Sequence, residues 1–180
     1  NTYIFNRDTV DIMISDLMNH GIKHKNGNHV GKTIIFAQNK RHAKYIIERF
    51  DVLYPQYKGA FCKLVVCDEP YAEKNLEDFK KPDEYPFITV TVDMLETGVD
   101  VPEITNLVFA KKVYSRIKFE QMIGRGTRLC ENLFGEGRDK KEFYIFDYMR
   151  NFQFFGENPK GKEPGVSIAP VSARFIRMVQ

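Results

Sequence analysis

Toward the carboxyl-terminal half of the chain, Gln121, Arg125 and Arg128 stand four and then three residues apart, with Gly124 and Gly126 among them. In a continuing helix this spacing puts the three polar side chains on one face. Two guanidiniums on one side offer forked donors suited to phosphate oxygens, and glycines remove side chains that would block close approach. A solvated helix end gives the same pattern, because arginine also favours the helix dipole there. Spacing alone does not choose between these readings. Upstream, Thr91-Val92-Asp93-Met94-Leu95-Glu96-Thr97-Gly98-Val99-Asp100-Val101-Pro102 carries a glycine and carboxylates where a strand feeds a loop, a ligand-facing location.

Two other segments imitate nucleotide chemistry. Gly31-Lys32-Thr33 has the ending of a phosphate-binding loop, but that pattern needs a glycine where this chain has Asn26. A phosphate loop also follows a strand and opens a helix, whereas this tripeptide opens a strand. Leu64-Val65-Val66-Cys67-Asp68-Glu69-Pro70 ends an apolar run in two carboxylates, as a magnesium-binding strand would. Without a phosphate loop there is no nucleotide phosphate for that metal to bridge, and a surface turn after a strand is the better reading.

The elements that must position these residues follow from hydrophobic periodicity. Val10, Met13, Ile14, Leu17 and Met18 fall at helical spacing over 7–19, and Ala43, Ile46, Ile47, Phe50 and Leu53 mark a second helix with Asn39 as its candidate cap. Short β-rich runs occupy 33–37, 63–67, 87–92, 105–110 and 142–146. Helices are expected at 72–79, at 116–123 after Ser115, and within the aromatic-rich 148–155. Apolar runs such as Ile-Thr-Val-Thr-Val and Asn-Leu-Val-Phe-Ala, interleaved with helices, call for a mostly parallel sheet flanked by helices on both faces. Such sheets place their chemistry at the carboxyl ends of the strands. Residues 1–155 form this domain, 156–180 read as a linker and the start of a following segment, and 172–179 could form a short helix.

A chain of 180 residues fits one domain, and its 43% hydrophobic and 28% charged residues exclude a disordered or membrane-spanning class. No apolar run approaches the roughly 18 residues that a span needs and no signal peptide is visible, so a soluble, cytoplasmic protein is expected. The first residue is Asn1 rather than Met, which suggests a piece of something longer. The net charge of +3 is too slight to announce nucleic acid but tolerates a local basic groove. Cys62, Cys67 and Cys130 form no C-x-x-C pair and read as buried free thiols in a reducing compartment. His20 and His24 lack neighbouring acidic or thiol ligands, and solvated histidines rather than a zinc site are expected.

These segments resemble, in order, three motifs of the C-terminal motor domain of superfamily 2 helicases. Thr33-Ile34-Ile35-Phe36-Ala37-Gln38-Asn39 is similar to motif IV, the stretch from Thr91 to Pro102 to motif V in its T-x-D-x-x-x-x-G-x-D-x-P form, and the stretch from Gln121 to Arg128 to motif VI, Q-x-x-G-R-x-x-R. The wording M-I-G-R-G-T-R-L-C, then F-G and F-Y-I-F-D-Y, is most similar to type I restriction motor subunits and type III-like restriction helicases. The likeness covers about residues 31–155. It implies a three-layer RecA-like α/β domain that completes an ATP site with an N-terminal motor domain of the same chain, which would hold most of the Mg²⁺.

Carried over position by position, the resemblance puts Gly98, Asp100 and Gly124 at the nucleotide edge, Arg125 and Arg128 at the γ-phosphate, and Gln121 at phosphate or water placement. Gln38, Asn39, Arg41 and Thr91 would face the DNA backbone without reading sequence, with restriction-modification subunits as further partners. Gln121, where many RNA helicases have His, favours a DNA motor. The isolated chain is expected to be inactive as an ATPase. A complete small NTPase and a non-enzymatic α/β binding module are the competing functions. The failed phosphate-loop pattern weighs against the first, and the paired motifs V and VI against the second.

Overall fold

Alternating apolar runs and amphipathic stretches fold as alternating strands and helices in the computed structural model, which describes residues 6–67, 69–92 and 100–159 and the backbone of a strand at 174–179. In chain order these are α1 (Arg7–His20), β1 (Lys32–Ala37), α2 (Lys40–Leu53), β2 (Cys62–Leu64), α3 (Ala72–Phe79), β3 (Ile88–Thr91), β4 (Ile104–Ala110), α4 (Arg116–Gly124), β5 (Glu142–Asp147), α5 (Asn151–Glu157) and β6 (Arg174–Val179). The strands form one sheet in the order β2-β3-β1-β4-β5-β6. The first five run parallel. β6 pairs antiparallel with β5.

Parallel strands buried on both faces need continuous apolar runs rather than alternation. β1 is buried at all six positions and β4 at all seven. Their side chains divide between two cores: Ile35, Ala37, Val90 and Val108 face Ile14 and Leu17 of α1 and Ala43, Ile46 and Phe50 of α2. Ile34, Phe36, Leu107 and Phe109 face Phe79 of α3, Phe119 and Met122 of α4, and Phe154 and Phe155 of α5. Each large apolar side chain so buried contributes roughly 1.5–3 kcal/mol. The expected three-layer RecA-like α/β architecture is therefore present.

Polar contacts fix the outermost helix. Arg49 of α2 donates through Nε and Nη2 to the Asp11 carboxylate, both at 2.7 Å. The hydrogen bond to Arg49 holds the Asp11 carboxyl below its usual range. The Tyr148 hydroxyl donates to Asp16 Oδ2 at 2.6 Å, tying α1 to the end of β5.

Outside the candidate site, the structure departs from the sequence expectations in four places. The 172–179 stretch, expected as a helix, supplies β6 over Arg174–Val179, because the outer edge of β5 offers a row of unpaired backbone groups. β2 is shorter than the expected 63–67, although the Val65 N–H still donates to Val90 O at 2.9 Å. Cys62 is buried, but Cys67 is exposed and Cys130 only half-buried; all three are free. His24 is not a solvated residue: its side chain is 11% exposed, bonds Asp83 at 3.0 Å and stacks on His29 at 5.0 Å. Among the described residues no helix is long and apolar enough to cross a membrane.

Candidate nucleotide and nucleic-acid site

The helix leading to the arginines begins where Ser115 accepts a hydrogen bond from the Lys118 N–H at 3.4 Å. It ends at Gly124. Beyond it the Arg125 N–H donates to Met122 O at 3.2 Å and the Gly126 N–H to Ile123 O at 2.9 Å, so the backbone tightens into i to i−3 bonding. Gln121 is exposed on α4, Arg125 is half-buried at the cap, and Arg128 lies in the loop beyond, exposed. The helix thus ends within a residue of the expected 116–123, and the condition under which Gln121, Arg125 and Arg128 would share one helical face is not met.

The two glycines serve different ends. A Cβ on Gly126 would lie 2.3 Å from Phe143 Cδ2 and 2.6 Å from Cε2, so its missing side chain admits the Phe143 ring rather than a ligand. A Cβ on Gly124 would meet nothing within 4 Å, and this glycine leaves an open surface beside Arg125. Gly126 therefore packs against the core and does not serve the close approach of a phosphate expected of both glycines.

The segments resembling motifs V and VI meet at this surface. Arg128 Nε lies 3.2 Å from Asp100 Oδ1, both side chains about 60% exposed (60% and 59%). An ion pair so exposed contributes at most about 1 kcal/mol and is easily exchanged for another anion. The firmer connection is Lys140, whose side chain is buried. Its Nζ donates to Pro102 O at 3.0 Å, Gly126 O at 2.7 Å and Arg128 O at 2.7 Å. Burial lowers its pKa to about 8, with Cys130 and Glu103 acting in the opposite direction. Gly98 and the rest of 93–99 lie outside the described residues.

The residues expected to meet nucleic acid lie at the other end of the sheet. Gln38, Asn39 and Arg41 follow the carboxyl end of β1, whereas Asp100 and Pro102 precede β4 and Lys140 precedes β5. A strand of six residues rising about 3.3 Å each separates the two ends by roughly 20 Å. Of the candidate residues, those of the rim at α2 stand at the carboxyl ends of the strands, where the chemistry was expected to gather, and the arginine loop stands at the opposite end. The segment between Thr91, at the carboxyl end of β3, and Ile104, at the amino end of β4, joins both ends. Lys111 Nζ holds its first part through Val92 O at 2.8 Å, and Lys140 holds its last through Pro102 O.

Within the rim, Gln38 is half-buried and Asn39 and Arg41 are exposed. Asn39 caps α2 by accepting from the His42 N–H at 2.9 Å. The Gln38 N–H in turn donates to His42 Nδ1 at 3.2 Å, so the buried imidazole must present a lone pair and be neutral; burial lowers its pKa to about 4. Thr91, expected beside these residues, is 1% exposed within the sheet, so its side chain does not reach the surface that they form. Lys40 and Lys44 on the same helix turn pair with Glu69 at 2.6 and 2.9 Å. Those contacts hold the Glu69 carboxyl below its usual range.

Both imitations of nucleotide motifs resolve as structural parts. Lys32 opens β1, as expected, and its buried Nζ donates to Glu84 O at 2.7 Å and Pro86 O at 2.8 Å, unavailable to a phosphate. Glu69 is the partner of the α2 lysines. No cluster of three or more potential metal ligands occurs among the described residues. Sequence reasoning passed over Lys140 and Lys111 entirely. Asp139-Lys140-Lys141 looks like a solvated charged turn, and nothing in residue type separates the buried lysine from its exposed neighbour.

The order and meeting of these segments agree with comparison to known proteins. The profile of the helicase conserved C-terminal domain matches residues 10–130, more than half of the chain. The chain belongs to that family. The helicase domain is 41% identical over 124 residues to the type I restriction enzyme EcoKI endonuclease subunit of Escherichia coli K12, a match covering 64% of this chain and 10% of that subunit. It is 29% identical over 137 residues to the EcoAI endonuclease subunit of Escherichia coli, covering 74% of this chain and 16% of the other. A solved fragment assigned to an HsdR subunit of a type I restriction enzyme from Vibrio vulnificus YJ016 superimposes with a TM-score of 0.68 at 26% identity, covering 89% of this chain and 30% of that one. The helicase domain is therefore a superfamily 2 C-terminal domain of the kind found in restriction enzymes, and spans a small part of those relatives.

Proposed function

We propose that this domain is the second motor unit of an ATP-dependent DNA translocase in a restriction system, completing an ATP site with an N-terminal motor domain. The observation that carries the reading is the junction of Asp100, Arg128 and the Lys140 carbonyl contacts beside the open surface at Gly124. There a loop with two arginines is fixed against the end of the segment resembling motif V, beside a glycine whose missing side chain leaves open space.

ATP fits this surface as a polyanion: Arg125 and Arg128 would meet the γ-phosphate, Asp100 and Gly124 would border the nucleotide together with Gly98, and Gln121 would place phosphate or water. Bound ATP supplies the phosphoryl group whose transfer drives movement. Mg²⁺ would be held mainly by the N-terminal motor domain. Gln38, Asn39 and Arg41 would grip the DNA backbone at the opposite end of the sheet, and phosphate contacts of that kind carry no sequence information. Thr91 would contribute from within, by shaping the strand end. The chain by itself would not hydrolyse ATP, because the phosphate loop and metal carboxylates belong to the other motor domain.

The test is kinetic. In the full-length motor, Arg125→Ala or Arg128→Ala is expected to lower DNA-dependent ATP turnover roughly a thousandfold or more while nucleotide binding largely survives. Arg→Lys restores little, since an ammonium keeps charge but loses the fork. Near wild-type turnover by both alanine variants would refute the assignment.

A further inference from the structure

We propose that Lys140 is a positioning residue for the arginine loop: its buried side chain fixes the carbonyls of Gly126 and Arg128 against that of Pro102, and so sets where Arg125 and Arg128 stand. The inference rests on the reading of those arginines given above.

After Gly124 the chain leaves the helix; the Arg125 and Gly126 N–H groups make turn bonds, and Arg128 meets Asp100 in an exposed pair. An exposed pair does not fix a loop. Lys140 does, because an ammonium has three donors and here each meets a carbonyl at 2.7–3.0 Å, within a space closed to solvent. Two of the three acceptors belong to the loop, one of them on Arg128 itself. The third belongs to Pro102, two residues beyond Asp100. One side chain therefore ties both halves of the candidate phosphate surface together. The Lys140 N–H adds a fourth link by donating to Cys130 O at 2.8 Å, which pins the far end of the loop. All three acceptors of the ammonium are backbone carbonyls, so the effect of the tie is carried by the arginines. A displacement of about 1 Å in such groups can cost on the order of a hundredfold in rate.

The experiment uses the full-length motor with four variants, Lys140→Met, Lys140→Gln, Lys32→Met and Arg128→Ala. Lys32 is the control: it is another buried lysine on two carbonyls, at Glu84 and Pro86, neither of which belongs to the arginine loop. Lys140→Met is expected to lower kcat about 10–100-fold with KM changed less than about threefold. It should also speed tryptic cleavage after Arg128. Lys32→Met should lose thermal stability to a similar degree yet keep kcat within about twofold and leave that cleavage unchanged. Where Lys140→Met does not fold, Lys140→Gln, which keeps two donors, is read by the same measures.

Loss of turnover in Arg128→Ala combined with near wild-type kcat in the Lys140 variant would overturn the positioning role and leave the phosphate reading intact. Equal losses of kcat in Lys140→Met and Lys32→Met would overturn it too, as general destabilisation. Normal turnover in Arg128→Ala would instead overturn the reading on which the inference rests.

Discussion

Replacing Gly126 by alanine adds one methyl to the arginine loop, and the structure says where that methyl goes. It would lie 2.3, 2.6 and 2.8 Å from Phe143 Cδ2, Cε2 and Cγ, against an ordinary carbon contact of about 3.5–4.0 Å. The ring must therefore move by about 1 Å or more. Phe143 is 1% exposed in β5, in the core shared with Met122 and Ile145, so the move presses on close-packed neighbours. Overpacking of this kind costs about 1–3 kcal/mol, offset by about 0.4–1 kcal/mol from the reduced freedom of the unfolded chain. The net expectation is a loss of about 1–2 kcal/mol, which in a domain of this size lowers Tm by roughly 2–8 °C.

Gly124→Ala is the matched control. Its methyl meets nothing within 4 Å at the last residue of α4, where alanine favours the helix, and stability should hold or rise by up to about 1 kcal/mol. Thermal unfolding of the two purified variants measures both effects. Phe143→Leu, placed behind Gly126→Ala, should recover part of the loss, giving a negative coupling in the double-mutant cycle. An unchanged or raised Tm in Gly126→Ala would refute the packing argument. In the full-length motor the roles should reverse for Gly124→Ala: a stable protein with weakened turnover, if this open surface receives the nucleotide.

Two further outcomes are expected. The folded-state pKa of His42, lowered from 6.5 to about 4, means that the unfolded chain binds the proton first; stability contributed by the neutral imidazole is complete above about pH 6.5 and is lost as pH falls toward 4, at most about 3 kcal/mol in all. Urea unfolding at pH 7 and pH 5 should show this loss in the wild type and a smaller one in His42→Gln; equal losses would exclude His42 as the source. DNA binding should be weak, indifferent to sequence and steeply weakened by salt, and Arg41→Ala should reduce the slope of log K against log salt by about 1, a value that an unchanged slope would contradict.

Much of the fold was legible because its helices show a periodic apolar signal and its buried parallel strands a continuous one. The apolar positions of α1 and α2 and the continuous runs of β1, β3 and β4 appear in the residues themselves. β6 was not, since Arg-Phe-Ile-Arg-Met-Val has apolar residues compatible with either element and the open edge of β5 decides. The site was legible in its types and less so in its geometry. Gln121, Arg125 and Arg128 were identifiable as a group, and the helix end near Gly124 was legible from the glycine itself, but the turn that carries Arg128 beyond it depends on backbone bonds and on Lys140. Gly126 looked like a ligand-facing glycine because its neighbour in space, Phe143, lies 17 residues away in β5. Thr91 looked accessible at a strand end, whereas its burial depends on what the sheet packs against it.

Buried and half-buried lysines are the feature that residue type conceals best, and three of them, Lys32, Lys112 and Lys140, act alike here. Lys32 holds Glu84 O and Pro86 O, Lys112 holds Met149 O at 3.0 Å and Arg150 O at 3.1 Å, and Lys140 holds three carbonyls between motifs V and VI. In each, burial lowers the pKa, so the charge is held at a cost. The reason for bearing it lies in the topology. A parallel sheet sends a loop across each strand end, and every such loop carries carbonyls that no strand or helix satisfies; an orphaned buried carbonyl costs about 1–3 kcal/mol. One ammonium serves two or three of them, while its four-carbon stem covers apolar surface. Rings assist: Lys32 lies 4.6 Å from the Phe87 centroid and Lys112 4.7 Å from that of Phe154. Of the three, Lys32 and Lys112 join segments that carry none of the phosphate-facing groups. Lys140 alone joins the two that do, which is why the same chemical device is expected to affect stability at Lys32 and turnover at Lys140.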